Sequence, residues 1–213
     1  MRIWTFEGGY DHNFTYLITG DNSSDAALVD AAVPFTQIKS VIETEQLRVK
    51  YLLITHTHGD HTAYARHYLS VLTNTQAALF SDQSFPNSLI LQDGNTLTIG
   101  SSEITVIHTP GHFPDSVCFL VEGCLFTGDT LFVGRTGRTI SPQSDTRQLY
   151  QSIFRKILPL PRNTIIYPGH NYGHQPTISL EENIAISPLL NAISEDDFVR
   201  RMAEYERSRL HKR

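Results

Sequence analysis

Between residues 56 and 61 the chain reads His-Thr-His-Gly-Asp-His, directly behind the apolar run Tyr51-Leu52-Leu53-Ile54. Three imidazoles and one carboxylate in six residues constrain the fold more than any other feature of the sequence. Groups this dense repel one another or demand separate partners unless a cation collects them. Imidazole and carboxylate together are a donor mixture that zinc and iron accept. The cluster falls at the C-terminal end of a predicted strand, so other strand ends are expected to bring further donors to it.

Three residues meet that expectation, each in a loop just after a predicted strand. His112 follows Thr109-Pro110-Gly111, Asp129 follows Phe126-Thr127-Gly128, and His170 follows Tyr167-Pro168-Gly169. A glycine directly precedes each one and permits the tight turn that aims a side chain off the strand end. One such residue carries little weight; four converging strand ends make a site.

The pattern along the rest of the chain supplies the frame. Residues 14–18 and 26–30 read as a hairpin around Gly20-Asp21-Asn22-Ser23-Ser24. Pro34 opens a helix reaching about residue 45, strand character returns over 49–55, and a second helix is predicted over 61–71. Short strands follow at 77–80, 96–99, 103–108, 116–121 and 124–126, with turns at Gly94-Asn95 and Glu122-Gly123. A helix over 145–157, capped by Ser144 or Asp145, a strand over 164–167, and helices over about 177–187 and 195–210 complete the reading. Two sheets packed together with helices outside, an α/β sandwich of four layers, account for this order. With 213 residues, 40% of them hydrophobic, and no linker-like tract, the whole of 1–213 is expected to be one domain, with 177–213 a short helical extension.

Charge and composition remove other classes. A net charge of -5 and a pI near 6.0 give nucleic acid no basic face to bind. The start, Met1-Arg2-Ile3-Trp4-Thr5-Phe6-Glu7, has no long apolar stretch or cleavage site, so no membrane partner and a cytoplasmic location are expected. Cys118 and Cys124 read as buried, reduced thiols rather than a disulfide. Arg200, Arg201, Arg207 and Arg209 read as the solvated face of the last helix, while His12, His67 and His211 read as surface or locally bonded histidines. His108 and His174 read as supporting residues beside the cluster.

The segments around His56, His58, Asp60, His61, His112, Asp129 and His170 resemble the metallo-β-lactamase superfamily over roughly residues 12–190. The family pattern is HxHxDH, a later His, a bridging Asp and a last His, and this chain has it complete and in order. The resemblance implies the αββα sandwich. It implies one metal on His56, His58 and His112, a second on Asp60, His61 and His170, and Asp129 between them. The metals expected are two divalent ions, zinc with iron or manganese as alternatives. Such a centre lowers the pKa of water from 15.7 to about 7 and polarises a carbonyl, with Asp60 available to orient the water or carry its proton.

The neighbourhood narrows the resemblance to the glyoxalase II and persulfide dioxygenase branch. It rests on Asn13-Phe14-Thr15-Tyr16-Leu17-Ile18, on 126–132 with Gly137-Arg138-Thr139, and on Tyr167-Pro168-Gly169-His170-Asn171-Tyr172. Both enzyme types act on glutathione derivatives, and the resemblance gives Arg138 and Tyr172 the role of contacting that moiety. Guanidinium suits the carboxylates of a tripeptide thiol. Two departures qualify the resemblance: Ile140 stands where glyoxalase II commonly has a second tyrosine and persulfide dioxygenases often have Asp, matching neither, and the tail is too short for the long helical domain of glyoxalase II. The expectation is a metal-dependent hydrolase of a glutathione thioester, acting as a monomer or homodimer on a small molecule. The alternative is a persulfide dioxygenase using one Fe(II) on His56, His112 and Asp129.

Overall fold

The structure, a computed structural model, describes residues 1–80, 85 and 87–210. The first sheet runs in chain order: β1 (Arg2–Gly8), β2 (Asn13–Thr19), β3 (Asp25–Val29), β4 (Arg48–Leu53), β5 (Gln76–Leu79) and β6 (Leu89–Ile90). The second is built from β7 (Thr96–Ile99), β8 (Ser102–His108), β9 (Val117–Val121) and β10 (Cys124–Gly128). A small hairpin of β11 (Leu131–Phe132) and β12 (Arg135–Thr136) precedes its last two strands, β13 (Ile165–Pro168) and β14 (Ile178–Ser179). The order across this sheet is β14-β13-β10-β9-β8-β7.

Three separate apolar clusters mark the three interfaces of a four-layered αββα sandwich. Between the sheets lie Tyr16, Ile18, Val29 and Leu53 against Val106, Val117, Phe119 and Phe126. Outside the first sheet, Leu17, Leu28 and Leu52 meet Ile38 and Ile42 of α1 (Phe35–Thr44) and Tyr68 of α2 (Ala65–Val71). Outside the second, Cys118, Leu125 and Ile166 meet Leu149 of α3 (Thr146–Ser152), Leu180 of α4 (Leu180–Ile186), and Phe198 and Met202 of α5 (Glu195–Leu210). The period-2 alternation of a strand explains the sorting: Tyr16 and Ile18 point one way and Leu17 the other. Because both faces are covered, β2 is buried along its whole length.

Several element boundaries differ from the sequence expectation. The second helix starts at Ala65, not residue 61, because the His61 carbonyl accepts from Ala31 N at 2.8 Å and is committed to the end of the first sheet. Residues 178–179, read as helical, pair with β13, and Ser179 then caps α4 in a reciprocal box with Glu182. Asp145 caps α3 as expected, but the helix widens to a π turn over Ile153–Ile157. The sequence reading assigned no element to β1, a half-exposed edge strand paired with β2 along its full length. Cys118 and Cys124 are free thiols, the first buried and the second partly so; burial pushes the Cys118 thiol up to about 11. The side chain of Arg209 and all of His211 lie outside the described residues. Among those described, no helix is long and apolar enough to cross a membrane.

Candidate metal centre

Strand ends from both sheets meet at one edge. The loop after β4 carries His56, His58, Asp60 and His61, while the loops after β8, β10 and β13 carry His112, Asp129 and His170. Backbone bonds hold this edge together: Val117 N donates to Thr55 O, Gly169 N to Gly128 O, and Phe14 N to Gly169 O, each at 2.8 Å. All seven residues expected from the sequence come together. Among the described residues, three donor sets have ligand atoms within 4.8 Å of one another: His56/His58/His112, His56/His61/Asp129 and Asp60/His61/His170.

Glycines make the approach possible for two different reasons. Gly128, before Asp129, has φ of +47°, where a side chain is strained and a Cβ would lie 2.5 Å from Thr55 Oγ1. Gly169, before His170, needs space: a Cβ there would stand 2.6 Å from both Asp129 Oδ1 and His61 Cε1.

The arrangement of nitrogens fits a cation. His112 Nδ1 donates to the Arg138 carbonyl at 2.8 Å, His170 Nδ1 to the Asp11 carbonyl at 2.7 Å, and His61 Nδ1 to Asp30 Oδ2 at 2.7 Å. Each outer nitrogen therefore carries its proton, and each Nε2 is left facing the centre as the atom able to ligate. Those inner atoms crowd: His56 Nε2 and His58 Nδ1 are 2.9 Å apart, and His61 Nε2 and His170 Nε2 are 3.2 Å apart. Asp129 Oδ1 is buried without a hydrogen bond of acceptable geometry, although His61 Nε2 stands 3.2 Å away. Ring nitrogens crowded this closely and an orphaned carboxylate oxygen are costly in a protein interior, and a shared cation would relieve both.

Electrostatics divides the histidines. Burial, reinforced by the neighbouring imidazoles, holds His56 and His58 below the usual histidine range, so both are neutral donors. Burial, the largest single influence, opposes charge at His170 and His61 as well, but the neighbouring carboxylates together outweigh it: Asp129 with Asp60 raises His170 to about 9, and Asp129 with Asp30 raises His61 well above its ordinary value. Burial also resists ionisation of Asp60 and Asp129. Contacts with His170 and His61, joined at Asp60 by the Asn13 amide, hold both carboxyls below the usual range.

Beside the cluster lies a cavity of about 120 Å³ lined by Asp11, His112, Asp129, Phe132, Arg135, Thr136, Arg138, Tyr172 and Tyr205. Both residues expected to meet substrate line it, and both already have partners. Arg138 Nε donates to Glu206 Oε2 at 2.8 Å, and Tyr172 OH donates to Asp11 Oδ2 at 2.5 Å while its ring stacks on His170. His108 stacks on Phe80 and bonds the Pro114 carbonyl, and His12, exposed, meets Glu7.

Sequence reasoning missed Asp30, Asn13, Asp115 and Arg135. Asp30 is buried, with φ of +58°, and binds His61, Thr55 N and Thr55 Oγ1. An ionisable residue closing the apolar run Ala26-Ala27-Leu28-Val29 was the available signal. Asp115 accepts from Thr57 Oγ1 at 2.6 Å and steadies the ligand loop. The Arg135 guanidinium lies over the Tyr172 ring and donates to its carbonyl.

A family model described as Metallo-beta-lactamase superfamily matches residues 8–78 and 64–170. The chain is 33% identical over 171 residues to a probable hydroxyacylglutathione hydrolase of Schizosaccharomyces pombe, an alignment covering 77% of this chain and 66% of that one. It is 31% identical over 192 residues to the mitochondrial persulfide dioxygenase ETHE1 of Homo sapiens, covering 89% and 75%. The crystal structure of ETHE1 from Myxococcus xanthus superposes with a TM-score of 0.84 at 27% identity, covering 95% of this chain and 90% of that one. With its sandwich, its converging His and Asp donors and these likenesses, the chain belongs to the metallo-beta-lactamase superfamily.

Proposed function

We propose that the chain is a metal-dependent hydrolase of a glutathione thioester or a related acyl thioester. The observation that carries this reading is the doubled donor set, His56/His58/His112 beside Asp60/His61/His170. Asp129 lies between them, with Oδ2 3.5 Å from His112 Nε2 and 3.4 Å from His170 Nε2. In this reading each set would hold one divalent ion, zinc or alternatively iron or manganese, with Asp129 available to both. Metal bound there supplies Lewis acidity that polarises the thioester carbonyl and lowers the pKa of water to about 7.

The chain's own residues do the positioning. Asp30 holds His61 by Nδ1, and the Arg138 carbonyl holds His112 by Nδ1, so neither ring can turn its inner nitrogen away. The Asn13 amide donates to Asp60 Oδ2 at 2.9 Å and fixes the carboxylate proposed to orient the attacking water. A thiolate leaving group needs little help from a general acid, so the bond broken suits a site built of carboxylates and imidazoles. Arg138 and Tyr172, in the adjoining cavity, are proposed to receive the glutathione moiety. The setting this reading supposes is a cytoplasmic monomer or homodimer.

A second reading, a persulfide dioxygenase with one Fe(II) on His56, His112 and Asp129, is supported by the likeness to ETHE1, which is as near in identity as the likeness to the hydrolase, 31% against 33%. Metal analysis of protein purified without added metal, paired with two assays, decides. Hydrolysis of S-lactoylglutathione supports the thioesterase, whereas oxygen consumption with glutathione persulfide and no thioester cleavage replaces it by the dioxygenase.

A further inference from the structure

The small cavity beside the cluster holds about 120 Å³, well short of the roughly 300–1,000 Å³ that ordinary ligand sites offer. A second cavity of about 490 Å³ adjoins it. Arg135 and Tyr205 line both, so they form the wall between. Next to Tyr205 on the same helix, Glu206 reaches Arg138 and accepts from its Nε at 2.8 Å. That contact is incompletely satisfied: Glu206 Oε1 is buried with no hydrogen-bond partner among the described residues. A desolvated carboxylate oxygen left without a donor favours any motion that returns it to water.

The two ends of the helix are held differently. Its first turns are held by Arg147 on Glu195 and Asp196, by Arg201 on Asp197 and the Pro188 carbonyl, and by the buried Phe198 and Met202. From residue 203 to 208 no side chain is fully buried.

We propose that Glu206 is a built-in carboxylate occupant of Arg138, displaced by the substrate's own carboxylate as the end of α5 lifts and joins the two cavities into one groove. The groove then runs from the metal cluster past Arg138 and Arg135, and its ligand is an acyl thiol whose carrier bears a carboxylate. Glu206 thereby sets specificity, because a carrier without a carboxylate gains nothing by releasing Arg138. This inference rests on the reading of the substrate as a glutathione-type thiol.

The test measures binding of glutathione itself, by calorimetry, to the zinc-loaded 213-residue chain. Removing the internal competitor raises apparent affinity by the reciprocal of the open fraction, so E206Q should bind glutathione about tenfold tighter. Arg138→Gln should weaken binding, and in that background E206Q should bring no gain. Equal or weaker binding by E206Q, at an unchanged unfolding midpoint, overturns the proposal and makes Glu206 a positioning partner of Arg138. So does a gain that persists without Arg138. If E206Q does not fold, Glu206→Asp, which keeps the charge but shortens the reach, decides by the same signs. A protein that gains affinity in E206Q yet cleaves no thioester keeps this inference and loses the hydrolase reading; one that cleaves thioesters without that gain does the reverse.

Discussion

Replacing Asp30 by Asn separates the role of a buried carboxylate from its shape. In the native protein Oδ2 accepts from His61 Nδ1 at 2.7 Å and from Thr55 Oγ1 at 2.8 Å, while Oδ1 accepts from Thr55 N at 2.8 Å. An amide has one acceptor oxygen. With that oxygen toward Thr55 N, its NH2 meets the proton on His61 Nδ1; flipped, its NH2 meets the Thr55 N–H. The first conflict is relieved only by moving the His61 proton to Nε2, which removes that ring's inner lone pair. One buried donor without a partner costs about 1–3 kcal/mol. A change of this kind behind a metal ligand lowers metal affinity about 10–100-fold. Competition with a chromogenic chelator reads the affinity. Thermal unfolding in excess chelator reads the metal-free fold, where a loss of about 2 kcal/mol lowers the midpoint by roughly 4–8 °C for a chain of this size. Native-like metal affinity in D30N would refute the claim that Asp30 fixes the His61 tautomer, and an unchanged midpoint would refute its structural share.

Gly169→Ala should lose bound metal and several degrees of midpoint, since the new Cβ would stand 2.6 Å from Asp129 Oδ1 and His61 Cε1, neither free to yield; elemental analysis with full native occupancy would contradict the crowding argument. Asp129→Ala should abolish turnover under both functional readings, and retained activity would mean that the proposed ligand set is wrong. In the metal-free protein His170, raised to about 9, binds more protons than the unfolded chain between about pH 6.5 and 9. Its contribution is therefore complete below pH 6.5 and lost as pH rises through 9. Loading zinc at pH 7.5 should expel about one proton from this ring, seen as a buffer-dependent binding enthalpy, and the pH slope of stability should flatten in the loaded form. Identical slopes with and without metal would exclude it.

Much of the centre was legible in the sequence because its donors are announced locally. His56, His58, Asp60 and His61 fall within one loop, and His112, Asp129 and His170 each follow a glycine at a strand end. The reason for the glycine was legible only in part. At Gly128 the turn requires a left-handed φ, as expected, whereas at Gly169 the requirement is clearance from Asp129 and His61, side chains that lie far from it along the sequence. The roles of Asp30 and Asn13 were not legible because they act on residues distant along the chain, His61 and Asp60. The edge strand β1 escaped because half-exposed residues show no strong alternation.

By itself the sequence determined the candidate metal donors, the superfamily and the four-layered frame. Each is written in short-range pattern: a six-residue cluster, glycine-marked turns, and apolar strands buried on two faces. Tertiary structure alone decided what surrounds the donors. It closed His61 onto Asp30, set the Arg138 carbonyl behind His112, and brought Glu206 across 68 positions to the Arg138 side chain. Ligand chemistry is local to a residue and its turn, but tautomer, charge pairing and cavity size depend on which distant groups share a low-dielectric space. Only the packed chain specifies that.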